Sequence, residues 1–148
     1  MEILRPCLYA FLACVAFCFA FELRHWRYIL SAAVIGAAGW FVYLILEDMT
    51  SVWRFLLATI VVAALAEIFA RIFKTPATVF LIIGIVPMVP GSGIYYTMEA
   101  LINGDMTLFV RLALETVASA GAIAVGCSLV SAVARILSAK HQKNPYHH

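Results

Sequence analysis

The chain has 148 residues, 65% of them hydrophobic and only 12% charged, with a mean hydropathy of +1.00. A soluble domain carries about 25% charged residues; half that figure cannot cover a water-facing surface, so lipid must solvate most of this chain. A net charge of +2 gives nucleic acid no basic surface to bind.

The first apolar run, 6–22, follows Arg5 and has no small-x-small cleavage site before Glu22. It is therefore read as a retained first span, not a signal peptide. The second span, 28–46, is bounded by Arg24-His25-Trp26-Arg27 and by Glu47-Asp48, and the third, 52–70, ends at Arg71 and Lys74. The last, 107–137, carries Arg111 and Glu115 in its first turns, an i, i+4 pair suited to an interface. A polar tail, 138–148, closes the chain, and its final His147-His148 resembles part of a purification tag and is given no function.

Between the third and last spans lies 77–102, which would reach about 39 Å as a helix. Its middle holds Pro87-Met88-Val89-Pro90-Gly91-Ser92-Gly93, two prolines and two glycines in seven residues. Each proline lacks an amide hydrogen and clashes with the carbonyl four residues earlier. The spacing predicts a break near the bilayer midplane, with the carbonyls of Ile83 and Val86 freed. The helix is expected to restart at about Gly93, capped by Ser92.

The segment either crosses as one broken helix or returns as a re-entrant hairpin. Crossing puts Arg24, Arg27, Arg71, Lys74, Arg135, Lys140 and Lys143 on one side, against Arg5, Arg54 and Arg111 on the other. That split of seven to three, against five to five for a hairpin, fits the cytoplasmic bias of Lys and Arg. The expected fold is an all-α polytopic integral membrane protein in one domain, 1–148, with about five transmembrane helices, the fourth broken at the Pro-Gly motif. The N-terminus is expected outside and the C-terminus in the cytoplasm.

Unwound backbone inside a membrane is tolerated only where it is buried in protein or lines a cavity. Broken helices mark substrate sites in several transporter folds: freed carbonyls attract a cation, and the amides of the restarted helix attract an anion. The candidate substrate-binding residues are Pro87, Pro90, Gly91, Ser92, Gly93, Tyr95, Tyr96 and Glu99, the last with both tyrosines within one turn. A proline kink that only shapes packing is the competing account, as is a plain interfacial acid at Glu99. Glu67 has Arg71 at i+4 and is either a proton-coupling group or half of an intrahelical ion pair.

Cys7, Cys14, Cys18 and Cys127 all sit in apolar runs without metal spacing and are read as small apolar residues; no metal or other cofactor is expected. No nucleophile has a base nearby in sequence, so the chain is not read as an enzyme. Small residues at four-residue spacing, Ala32 with Gly36 and Ala118 with Ala122 and Gly126, suggest faces where helices approach closely.

The run AEIFARIFKTPATVFLIIGIVPMVPGSGIYYTMEAL resembles the threonine/serine exporter family, specifically its small subunit. The matching residues are Ala66, Glu67, Ala70, Arg71, Pro76, Pro87, Pro90, Gly91 and Tyr95. The resemblance implies a secondary transporter of the bacterial inner membrane that exports small hydrophilic metabolites, chiefly threonine and serine, or in one branch a dicarboxylate such as succinate. With no soluble region in the sequence, it implies the split type, acting with a larger partner subunit of the same family. A structural subunit that assembles the complex without a substrate site, and a small homo-oligomeric channel, are the alternatives. A reporter fused after His148 is expected to read cytoplasmic; a periplasmic reading would overturn the crossing topology.

Overall fold

A computed structural model of the chain describes residues 4–142, with side-chain surroundings for 4–137; His147 and His148 lie outside the described residues. All regular structure among the described residues is helical: α1 (Leu4–Ala20), α2 (Trp26–Ile45), α3 (Ser51–Phe73), α4 (Ala77–Ile85), a 3-10 turn (Val86–Met88), α5 (Gly91–Ile102) and α6 (Met106–Gln142). The helices α2 and α3, and Met106–Leu137 of α6, are each long and apolar enough to cross a membrane; α4 and α5 qualify together as a bent pair. The shorter α1, at 17 residues, reaches about 25 Å, close to the roughly 30 Å hydrocarbon core. The protein is thus an all-α, polytopic membrane protein of about five helical spans.

Small side chains set how closely the helices approach. On α2, a methyl added to Gly36 would run into Cys14 Sγ of α1, and one on Gly39 into Val62 Cγ2 of α3. Ala32, Ala33 and Ile35 on the same helix are fully buried. At the end of the bundle formed by residues 21–25, Tyr28, Phe73 and Phe80 meet edge-on or tilted, with centroids 5.3–6.1 Å apart. Such pairs add about 0.5–1.5 kcal/mol each beyond the area they bury, and this one ties α2, α3 and α4 together. The turn beside it is fixed by Lys74, which takes a left-handed φ of 52°, while the Thr75 amide returns to the Ala70 carbonyl and Pro76 prevents continuation.

From that end α4 climbs between α2 and α3 until Met88 Sδ lies 3.2 Å from where a Gly39 Cβ would be. The chain then bends by 42° into α5. A re-entrant hairpin would need a near reversal, and the bend is well short of one. Helix α5 reaches α6, where Gly93 abuts Thr116, and the adjacent Glu115 is hydrogen bonded to Ser51, the first residue of α3. The restart therefore lies toward the end of the bundle formed by residues 46–50, while the break begins level with the middle of α2 and α3, where Pro87 lies beside Gly36 and Gly84 beside Ile35 and Val62. Beyond that level α5 packs on α6, with few of its residues buried.

Three expectations for the break are corrected. Helix α5 restarts at Gly91, not Gly93, and its start has no side-chain cap from Ser92 or any other residue. The carbonyls of Ile83 and Val86 are not free: Ile83 O accepts the Val86 amide and, at 3.4 Å, the Cys14 thiol. Val86 O accepts the Val89 amide at 3.3 Å, and Val89 O accepts the Gly91 amide at 2.7 Å. Tight local turns thus use up the acceptors that the prolines release.

Gly39→Val is expected to lower stability by about 1–3 kcal/mol through overpacking against Val62, read as a fall in melting temperature of the detergent-purified protein. Gly121→Ala, where an added methyl meets nothing within 4 Å, is expected to leave it within about 0.5 kcal/mol. Equal behaviour of the two variants would contradict the α2–α3 packing.

Candidate functional site

The bend at Pro90 carries α5 away from α4, and the space it leaves is a cavity of about 160 Å³. Tyr43 of α2 and Ser51 and Phe55 of α3 form one wall; Pro90, Ser92, Gly93 and Tyr96 form the second; Leu112, Glu115, Thr116 and Ser119 of α6 close it. This is smaller than the roughly 300–1,000 Å³ clefts that take drug-sized ligands, and suits a metabolite of few heavy atoms.

The lining is polar for a membrane protein. Glu115 Oε1 accepts a hydrogen bond from Ser51 Oγ at 2.7 Å, which orients the carboxylate without neutralising it. The Arg111–Glu115 ion pair read from the sequence is not made; among the described residues the ion pair is Glu67–Arg71. Thr116 Oγ1 donates to the Leu112 carbonyl at 2.7 Å and keeps its lone pairs for the cavity. Ser119 is 2% exposed. Behind Tyr43, Arg54 is held in place: its Nε donates to Tyr43 O at 3.0 Å and its guanidinium lies 4.1 Å from the centre of the Tyr43 ring. On the opposite side the first turn of α5 presents the amides of Ser92 and Gly93, which no helix start can satisfy internally. Gly93 must be glycine for this approach, because any Cβ there would press on Thr116.

The site thus offers a fixed carboxylate, several hydroxyls, and amides at a positive helix end. Chemically that can hold a small solute carrying both an ammonium and a carboxylate. Among the described residues no group of three or more His, Cys, Asp or Glu gathers as it would around a metal.

The residues singled out in the sequence are only partly brought together. Pro90, Ser92, Gly93 and Tyr96 line the cavity. Tyr96 also borders a second cavity of about 290 Å³ between α5 and α6, with Glu99, Asn103 and Asp105. Tyr95 and Gly91 are exposed and line neither; Tyr95 meets Tyr96 edge-on at 5.4 Å. Pro87 is half-buried beside Gly36 in the packing of α1, α2 and α4. Glu67 and Arg71 pair at 3.4 Å near the other end of α3, about 24 Å along the helix from Ser51.

Sequence reading did not single out Tyr43, Ser51, Phe55, Thr116 or Ser119, and left Glu115 open between a functional acid and a plain ion pair with Arg111. A signal was there: Leu112, Glu115, Thr116 and Ser119 recur at i, i+3, i+4 and i+7, a polar stripe on an otherwise apolar helix. Continued, the stripe reaches the buried Ala122 and Gly126, whereas Ala118 faces outward.

Comparison with known proteins places this architecture. The sequence profile of the family "Threonine/Serine exporter, ThrE" matches residues 6–133. A "Threonine/serine exporter" of Corynebacterium glutamicum is 35% identical over 116 residues, covering 77% of this chain and 23% of that protein. The chain therefore spans about a quarter of the length of the curated relative it matches. No solved structure matches it. With the profile running through all of α2 to α5 and most of α1 and α6, the chain belongs to the threonine/serine exporter family.

Proposed function

We propose that the protein is a membrane subunit of a secondary transporter that exports small hydrophilic metabolites, with threonine- and serine-type amino acids as substrates, in concert with a larger partner subunit of the same family. The observation that carries this reading is the cavity between α3, α5 and α6, with Glu115 facing one part of it and the start of α5 another. In it a zwitterionic amino acid places its ammonium at Glu115 and its carboxylate at the amides of Ser92 and Gly93. Pro90 and Tyr96 shape the walls. Glu99, one turn further on, and Glu67 are the remaining acids available for proton coupling. A dicarboxylate such as succinate is disfavoured, because Glu115 would oppose one of its charges.

One feature supports the partner: α5 packs on α6 with most of its surface open. Export by alternating access then moves this chain against the partner around the cavity. The protein belongs to the bacterial cell membrane in this reading, with its N-terminus outside and its C-terminus in the cytoplasm.

The test is efflux of labelled threonine, serine and succinate from preloaded cells that lack their own exporters, expressing this chain alone or with the larger subunit. Threonine or serine efflux is expected only with both chains. Glu115→Gln is expected to lower it at least about tenfold, the worth of one charge-assisted hydrogen bond, with recovery of the complex unchanged. Losses of efflux and of complex in equal proportion would favour a purely structural subunit, and efflux from this chain alone would favour a homo-oligomer.

A further inference from the structure

The polar lining between α3 and α6 does not end at the cavity. One turn below Phe55, Thr59 is fully buried, and its Oγ1 has no hydrogen-bond partner. Its side chain lies against α6: a Cβ added to Gly126 would come within 3.2 Å of Thr59 Cβ, Thr59 Cγ2 and the Leu56 carbonyl. Thr59 therefore sits in the α3–α6 seam, with its hydroxyl buried and not facing lipid.

A simple remedy exists for such a group, and Thr59 does not take it. Within a helix, a serine or threonine hydroxyl can donate to the carbonyl four residues earlier. Ser31, Thr97, Thr116 and Ser128 all do so, at 2.6–2.8 Å. Leaving Thr59 unpaired forfeits the full desolvation of its hydroxyl, and hydrocarbon supplies no water to relieve it. A buried polar group without a partner calls for an explanation, and a partner present only in another state of the protein is one.

The seam is also suited to part at this level. On α6 the buried residues at this level are the small Ala122 and Gly126, with Ile123 partly buried against the core beside them. Ser119, the last polar residue of the cavity, stands about 10 Å above Gly126 along the α6 axis. Glu115, Ser119 and Thr59 thus descend along one interface.

Resting on the reading of the cavity as the substrate site, we infer that Thr59 is an inner binding residue: when α3 and α6 separate, the transported amino acid moves down the seam and the Thr59 hydroxyl donates to its carboxylate. Transport then runs between α3 and α6, not through the second cavity beside Glu99.

The test uses the full transporter in membranes, with Cys7, Cys14, Cys18 and Cys127 replaced by alanine and efflux confirmed. Thr59→Cys and Ser119→Cys are each exposed to a membrane-impermeant thiol reagent, with and without threonine. Both are expected to be labelled, and threonine is expected to slow each severalfold. Protection of Ser119→Cys with Thr59→Cys unreactive, or reactive but unaffected by threonine, would leave the cavity in place and overturn the inner subsite. Protection of neither would overturn both. As a second measurement, Thr59→Val, which keeps the shape and deletes the unpaired hydroxyl, is expected to keep or raise the melting temperature yet lower efflux about tenfold, the loss of one hydrogen bond, with Thr59→Ser restoring it. Wild-type efflux in Thr59→Val would contradict the inference.

Discussion

Backbone amides and carbonyls inside a bilayer have no water to turn to, and the whole architecture around 86–91 follows from how that constraint is met. Pro87 and Pro90 interrupt the helix, but the acceptors they release, Ile83 O and Val86 O, are taken by the Val86 and Val89 amides and by the Cys14 thiol of a neighbouring helix. The break is therefore a fixed bend, not a loose loop. Because it is fixed, α5 leaves α4 at 42° and meets α6 through Gly93 and Thr116, and the cavity is the space this divergence leaves.

The rest of the bundle holds that bend in register. Aromatic packing of Tyr28, Phe73 and Phe80 anchors the start of α4, and Gly39 lets Met88 seat against α2 at its end. On the other wall, Ser51 holds Glu115 and Arg54 holds the Tyr43 carbonyl. The polar groups of the site are thus borne on rigid helices and positioned by short hydrogen bonds, the arrangement that gives a small polar ligand a defined orientation. Membership of the threonine/serine exporter family gives that geometry a context, while the chain accounts for only 23% of its curated relative.

Much of this was legible in the residues. The shortage of charge dictated a membrane protein, and two prolines with two glycines marked the broken helix because no other residues disrupt a span in that way. Pro90, Ser92, Gly93 and Tyr96, which the same motif singles out, line the cavity. What escaped was everything that depends on which helix lies beside which. Ser92 looked like a cap by spacing, yet the Gly91–Val89 hydrogen bond starts the helix earlier. Glu115 looked paired along its own helix, and only the approach of α3 shows Ser51 as its partner. Sequence spacing reports neighbours within a helix well and says little about neighbours across a seam.

The most direct measurement of the central claim, that this cavity holds the substrate, is equilibrium binding of labelled threonine to the purified transporter before and after the cavity is filled. Ser92 lines it and is otherwise exposed, so Ser92→Leu adds bulk without disturbing the buried packing. The account predicts that the variant folds with an unchanged melting temperature and loses threonine binding. Threonine binding equal to wild type in the well-folded variant would contradict it.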